Sequence, residues 1–232
     1  MRLPPLTPGV LLRRYQRFLA EVRLEDGEVV TAHTANTGRM TGVAEPGSRV
    51  WLSRADNPRR KLPWTWELVE ARPGVLVGIN TLRANALVAE AVEGGVISEL
   101  SGYQRLRREV PYAGRHRIDL LLEGEGRPPC YVEVKNTTLV EAGVARFPDA
   151  VSARATRHLH ALAQMAAQGA RAAVVFCVQR GDAERFAPAD AIDPAYSRAL
   201  REVAAEGVEF VAYRAQVSAK AVCLDQALPV VL

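Results

Sequence analysis

Residues 171–179 read Arg-Ala-Ala-Val-Val-Phe-Cys-Val-Gln. A run this short, apolar and β-branched suits a strand buried on both faces, so the fold must supply a layer above it and a layer below it. Amphipathic partners lie nearby. Val151, Ala155, Leu159, Leu162 and Ala166 form one stripe of a helix expected over 151–168, and a second helix is expected over 194–206. Strand-like runs at 106–112, 117–123, 130–135 and 208–213 complete the pattern of an α/β domain. Alternation places Leu106, Val110 and Tyr112 on one face of their strand. It does the same for Ile118, Leu120 and Leu122, and for Cys130, Val132 and Val134.

The first 75 residues follow a different rule. Runs at 19–24, 29–33, 49–53 and 62–71 read as short strands, separated by Asp26-Gly27, Asn36-Thr37-Gly38, Pro46-Gly47 and Asp56-Asn57-Pro58. Strands at this spacing without a long helix predict a small β-barrel or a sandwich. A helix pattern over 80–93 follows, with Ala84, Leu87, Val88 and Ala91 at helical spacing and Gly94-Gly95 as its stop. The shift in pattern divides the chain into a β-rich unit, 1–78, and an α/β unit, 79–232. Charge divides the same way: 12 basic and 8 acidic residues occur through Asn80, and 18 of each after it. A locally basic first unit suits a polyanionic partner.

Several classes are excluded on composition. No apolar run approaches the ~20 residues of a membrane span. The opening Met1-Arg2-Leu3-Pro4-Pro5 lacks the apolar core of an export signal, so a soluble, cytoplasmic chain is expected. Cys130, Cys177 and Cys223 are few, odd in number and unpaired in spacing, which argues for reduced thiols and against a zinc site.

The chemistry concentrates on two strands. Asp119 alternates out of phase with Ile118 and Leu120, and Glu133 and Lys135 alternate out of phase with Val132 and Val134. Adjacent antiparallel strands can bring all three onto one face. Two neighbouring carboxylates repel unless a cation lies between them, which makes this a candidate divalent-metal site. A lysine beside it can position a water or hold a phosphate. Glu-x-Lys alone also describes an ordinary solvated face. The more specific signal is Asp119 fourteen residues before it, across the Gly124-Glu125-Gly126 turn. Lysine is also scarce: Lys61, Lys135 and Lys220 are the only three among 30 basic residues.

A helix, a three-stranded meander, a helix and a strand, with Asp119 and Glu133-Val134-Lys135, resemble the PD-(D/E)xK nuclease superfamily. Nearly the whole chain is similar to the sugar fermentation stimulation protein A (SfsA) family. The similarity is carried by Arg13-Arg14-Tyr15-Gln16-Arg17-Phe18-Leu19-Ala20, Asn36-Thr37-Gly38-Arg39-Met40-Thr41-Gly42, Thr65-Trp66-Glu67-Leu68 and Asn80-Thr81-Leu82. It continues through Ile97-Ser98-Glu99-Leu100-Ser101-Gly102-Tyr103, Arg117-Ile118-Asp119, Glu133-Val134-Lys135, Phe147-Pro148-Asp149-Ala150-Val151 and His158-Leu159. The resemblance implies an N-terminal OB-fold-like barrel followed by a nuclease-like α/β domain with a mixed central sheet, and DNA as partner, with RNA left open.

By position, the resemblance implies Asp119 and Glu133 as metal ligands, the Val134 carbonyl as a further ligand and Lys135 as the catalytic lysine. The superfamily often adds an acid from the first helix, and Glu90 is the candidate, with Glu99 and Glu109 as rivals. Ile118 stands where the superfamily's proline would precede Asp119.

A nucleic-acid surface is a second expectation. In 57–66 bases and aromatics alternate, so Arg59, Arg60 and Lys61 are candidate phosphate contacts. Trp64 could stack on a base or belong to the barrel core, and core is favoured for Trp66. On the helix after the metal strand, Arg154, Arg157 and His158 are expected on one exposed face, against a bound strand. The sequence therefore predicts a DNA-binding protein with a Mg²⁺- or Mn²⁺-dependent nuclease site, or alternatively a non-cleaving DNA-binding regulator linked to sugar metabolism. A sugar-metabolising enzyme of another class has little support, because no phosphate-binding glycine pattern is present.

Overall fold

The computed structural model describes residues 1–232 except Pro58, Ala113 and Arg115, so the Pro58 part of the expected turn and basic segment lies outside the described residues. Six strands come first: β1 (Leu6–Tyr15), β2 (Leu19–Leu24), β3 (Val29–His33), β4 (Arg49–Arg54), β5 (Trp64–Arg72) and β6 (Val75–Gly78). They form one sheet in the order β3-β2-β1-β4-β5-β6, and a β3–β5 pairing closes five of them into a ring. Leu11, Val22, Leu52, Trp66 and Val77 fill its interior. Trp66 is fully buried and donates its indole N–H to the Leu68 carbonyl at 2.9 Å, whereas Trp64 is half-buried under the Arg54 guanidinium.

β1 is one of the strands that periodicity misses, because Pro8 and Gly9 argue against a central strand. The structure shows why both are tolerated. Leu6–Val10 pair with β4 and Gly9–Tyr15 with β2, so the strand changes partners at this point. A Cβ on Gly9 would lie 2.6 Å from Val22 Cγ1, so only glycine allows the approach.

After a short 3-10 turn at Thr81–Arg83, α1 (Ala84–Glu93) leads into β7 (Arg105–Tyr112), β8 (His116–Glu123) and β9 (Cys130–Thr137). There follow β10 (Leu139–Glu141), β11 (Val144–Phe147), α2 (Ala153–Ala167), β12 (Arg171–Val178), β13 (Arg185–Pro188), α3 (Pro194–Ala205), β14 (Glu209–Val217) and β15 (Val222–Leu228). The main sheet runs β15-β14-β12-β9-β8-β7, with β12 parallel to both neighbours and the other pairs antiparallel. It is a mixed sheet. β12 is buried on both faces as its composition requires: Val174 and Phe176 pack with α2 and α3, and Val175 and Cys177 with α1.

Two alternation patterns expected from sequence are not kept. Leu106 packs on the α1 side but Val110 and Tyr112 pack on the α2 side. Leu120 and Leu122 likewise face α1, whereas Ile118 faces α2. The reversal falls at Glu109 and Asp119, which stand opposite each other in the β7–β8 pairing, between Arg108–Leu120 and Val110–Ile118. Glu109 has φ 53°, a left-handed conformation costing roughly 1–2 kcal/mol in a non-glycine residue, and it re-aims the strand as a bulge does.

The first sheet is tied to the turn that leads into α1 by a buried ionic contact. Glu67 on β5, 2% exposed, accepts from Arg83 at 2.7 and 2.8 Å, from Asn80 at 2.9 Å and from Ser53 at 2.7 Å. Burial alone would raise the Glu67 pKa, but these donors outweigh it and hold the carboxyl below its ordinary value. Among the described residues no helix is long and apolar enough to cross a membrane.

Candidate metal and nucleic-acid site

The ladder between β8 and β9 pairs Leu120 with Val132 and goes no further toward Asp119 and Glu133. The strands part at the two acids. Asp119 fills the gap: its Oδ2 accepts the Val134 backbone N–H at 2.7 Å, and its Oδ1 accepts from Asn85 Nδ2 at 2.8 Å. Asn85, at the start of α1, also donates to Glu109 Oε1 at 3.2 Å, so one amide holds two carboxylates.

Glu133 points toward α2. It is 4% exposed, and its Oε1 accepts from Lys135 Nζ at 2.7 Å and pairs with His158 Nδ1 at 2.5 Å. Arg154 Nε donates to the other ring nitrogen of His158 at 3.4 Å, which sets the tautomer with its proton on Nδ1. Glu133 Oε2 is buried and has no hydrogen-bond partner among the described residues. Burial pushes the Glu133 pKa up, but His158 and Lys135 more than reverse it, so this carboxyl stays below its usual range. Asp119 goes the other way. Burial, then the Glu133 charge, push it up to about 6 against the hydrogen bonds from Val134 and Asn85. The Tyr112 hydroxyl, also buried without a partner, is raised by burial and then by Glu133 and Asp119. Glu133 therefore opposes ionisation of both groups.

Cavities open on either side of the acid pair. One, of about 390 Å³, is lined by Glu109, Arg117, Arg154 and Arg157 together with Asp119 and Glu133. The other, of about 280 Å³, has Lys135, Asn85 and Asn136 from the α/β part and Asn36 from the segment after β3. That segment is pinned over it. Arg14 donates to the carbonyls of Asn36 at 3.0 Å and Gly38 at 2.9 Å, and the Met40 N–H reaches Asp149 at 2.9 Å.

Not every residue singled out from sequence lies here. Glu90 is excluded by its helix face: five residues beyond Asn85 it is turned about 140° away, and it pairs instead with the Met1 ammonium at 2.7 Å. Glu99 accepts from Tyr213 at 2.7 Å, away from the acid pair. Of the three rival glutamates, Glu109 is the one beside Asp119. His158 is buried against Glu133, not set on an exposed face as expected, while Arg154 and Arg157 are exposed. Arg59, Arg60 and Lys61 are exposed in the β4–β5 connection. Sequence reasoning assigned no role to Asn85, Asn36 or Asn136. Asn36 lies in a segment already singled out for its resemblance, but nothing in the spacing of Asn85 marks it. Among the described residues no group of three His, Cys, Asp or Glu side chains is gathered closely enough to hold a metal ion.

Comparison with known proteins agrees with this architecture. A family described as SfsA N-terminal OB domain matches residues 12–79, and one described as Sugar fermentation stimulation protein RE domain matches residues 82–221. A sugar fermentation stimulation protein homolog of Citrifermentans bemidjiense is 60% identical, over 100% of both chains. One of Acidithiobacillus ferrooxidans is 54% identical, over 99% of both. The structure of Pyrococcus furiosus SfsA in complex with Ca²⁺ superposes with a TM-score of 0.91 at 29% identity, covering 100% of this chain and 98% of that one. With its N-terminal OB domain and its α/β domain built on a mixed sheet, this chain belongs to the sugar fermentation stimulation protein (SfsA) family.

Proposed function

We propose that the chain is a DNA-binding, divalent-metal-dependent nuclease with a PD-(D/E)xK-like site, built from units 1–78 and 79–232 and working in the cytoplasm. The observation that carries this is Glu133 Oε2, a buried carboxylate oxygen without a hydrogen-bond partner among the described residues, beside Asp119, whose own ionisation Glu133 opposes. Such an arrangement suits a bound cation. Asp119, Glu133 and the Val134 carbonyl would hold it. A strand residue presents N–H and C=O to the same edge, so that carbonyl shares the gap into which the Val134 N–H points. Two carboxylates and a carbonyl, all oxygen, suit Mg²⁺ or Mn²⁺ with waters in the remaining positions. The Ca²⁺ held by the Pyrococcus furiosus protein is a hard cation of the same preference.

When bound, the cation supplies Lewis-acid chemistry and lowers the pKa of a coordinated water. The chain supplies the rest. Asn85 and the Val134 N–H fix the Asp119 rotamer, and His158, steadied by Arg154, fixes Glu133. Lys135 holds its ammonium on Glu133, within reach of a phosphate or its attacking water. Arg154, Arg157 and Arg117 offer guanidinium groups for phosphates on one side of the acids. The OB unit adds Arg59, Arg60 and Lys61 as phosphate contacts, with Trp64 as a stacking surface. Incubating the purified protein with labelled single- and double-stranded DNA and RNA, with Mg²⁺, Mn²⁺ or EDTA, tests the proposal. Cleavage that needs metal and disappears in Asp119→Asn supports it, and no cleavage of any substrate by wild type rejects it.

One feature favours a non-cleaving DNA-binding regulator as the second reading. Lys135 already offsets the Glu133 charge from within the chain, and His158 donates to the same oxygen. In that case the wild type binds DNA and leaves it intact.

A further inference from the structure

The cavity of about 280 Å³ between the Asn36 segment and β9 is the feature that the nuclease reading leaves unused. Its lining combines apolar side chains with polar groups that are anchored. Asn36 Oδ1 accepts from the Gly38 N–H, and Asn136 Oδ1 accepts from Gln179, so both amides keep N–H groups not otherwise engaged among the described residues. Asn85 is reversed: its N–H₂ is spent on Asp119 and Glu109, leaving its carbonyl. Two donors and one acceptor of fixed orientation, with the cation of Lys135 in the same wall, are a surface for reading a polar ring edge attached to an anion.

The segment over the cavity is bordered by apolar side chains that a folded protein normally hides. Leu82 and Val151 are each 76% exposed and Phe18 is 44% exposed. Each sits beside a residue tied to the 34–40 segment or is tied itself: the Phe18 carbonyl accepts from the Thr34 N–H, Thr81 donates to the Ala35 carbonyl, and Asp149 accepts from the Met40 N–H. Exposed apolar side chains close in the chain to a pocket with anchored polar groups suit a ligand with apolar faces and polar edges. A nucleobase has that form. A cavity of about 280 Å³ is on the scale of a single base.

We infer that this cavity receives one unstacked nucleotide of a single strand, its phosphate toward Lys135 and its base among the three asparagines, while Leu82, Phe18 and Val151 wedge it from its neighbours. The inference rests on the nuclease reading for the placement of the adjoining phosphate, and it narrows the substrate to single-stranded or frayed nucleic acid. The cavity beyond the acid pair, with Arg117, Arg154 and Arg157 in its wall, then carries the continuing strand.

The test reads unstacking, not cleavage. 2-Aminopurine is placed at the 5′ end, the 3′ end or an internal position of DNA and RNA oligonucleotides, and the full chain is titrated in with EDTA and separately with Ca²⁺. At one or more positions its fluorescence should rise at least about threefold on binding, as for a base drawn out of a stack. A blunt duplex should bind more weakly and show no rise. Asn136→Leu should remove the rise, and Leu82→Glu, an exposed position where the fold is not at risk, should weaken single-strand binding about tenfold or more. A rise with DNA alone or RNA alone supports the inference and fixes the sugar. Strand binding without a rise at any position overturns it, as does equal affinity for a blunt duplex or a Leu82→Glu protein that binds like wild type. A rise without cleavage in any metal rejects the nuclease reading and leaves this one standing.

Discussion

Asp119 Oδ2 accepts the Val134 backbone N–H at 2.7 Å, in the place a β8 ladder partner would otherwise occupy. A side chain has replaced a rung of the sheet. The consequence is a gap in the centre of a well-packed domain, with two carboxylates on its edges and a lysine two residues along. Unpaired strand edges are costly when buried, so the arrangement persists because Asp119 restores one hydrogen bond and Asn85 fixes the carboxylate that does so.

The first prediction concerns acidity. The folded-state pKa of Asp119, about 6, lies above its ordinary 3.8, so between those values the folded chain holds a proton that the unfolded chain has lost. Stability must then fall as pH rises through that window. Asp119→Asn, which keeps an oxygen for the Val134 N–H, should be more stable than wild type at pH 8 by ~1–2 kcal/mol after screening, with the gain fading toward pH 4. On the proposed reading a metal would compete with that proton, so apparent Mn²⁺ affinity should decline below about pH 6. Urea melts and calorimetric titrations across this range measure both. A variant less stable than wild type at pH 8, or Mn²⁺ heats equal to those of wild type, would show that Asp119 carries neither the strain nor the metal.

The second prediction concerns Asn85. Because its amide restrains Asp119 and Glu109 together, Asn85→Ala should lower Mn²⁺ affinity about 10- to 100-fold, the usual cost of losing a residue that orients a ligand. Asn85→Asp should be worse, since it adds a third carboxylate in place of a donor. Glu90→Ala, on another face of α1 and bonded to the Met1 ammonium, should leave the affinity unchanged. An effect of Glu90→Ala matching that of Asn85→Ala would return the helix glutamate to the site.

The third prediction concerns the OB unit. Arg59, Arg60 and Lys61 are exposed, so replacing all three with Ala should spare the fold. DNA affinity should drop with little dependence on sequence, and the slope of log affinity against log salt should shrink by about one for each phosphate that the variant no longer neutralises. An unchanged slope places the binding surface elsewhere, with Arg154 and Arg157 as the next pair to replace.

Much of this architecture was legible in the sequence, and the failures have physical causes. The run at 171–179 required a strand with helices on both sides, and β12 is that strand. Turn signals and alternation located β2, β3 and β4, because those strands bury one face and expose the other. β1 escaped notice because Pro8 and Gly9 oppose a strand locally, and only the partner change between β4 and β2 makes them acceptable. β10, β11 and β13 are three or four residues each, too short for any period to register. At the site, alternation placed Asp119 beside Glu133 and Lys135, and Asp119 and Glu133 do line one cavity, but it missed that Glu109 at φ 53° reverses the facing of the β7–β8 hairpin there. Nothing local to Glu109 announces a left-handed residue. Asn85 was silent for a related reason: its importance comes from a hydrogen bond to a residue 34 positions away in the chain.

The last prediction separates a nuclease from a binder, and it rests on Lys135. Its ammonium lies 2.7 Å from Glu133 Oε1 and its side chain is only 11% exposed, on the wall between the acid pair and the asparagine-lined cavity. An amine so placed contributes charge where a phosphate would be attacked, and it is not itself a metal ligand. Lys135→Ala should therefore leave Mn²⁺ and DNA affinity within a few-fold of wild type, since His158 still donates to Glu133, yet cut cleavage at least ~100-fold, the scale of one preorganised electrostatic group. Lys135→Arg should rescue poorly, because a planar guanidinium cannot occupy the place of a compact ammonium against Glu133. Single-turnover cleavage of labelled single strands, with binding measured in parallel, resolves the two effects. Were Lys135→Ala to cut as fast as wild type, the lysine would be only the partner that keeps Glu133 ionised, and the chemistry would have to be assigned to other groups around the gap.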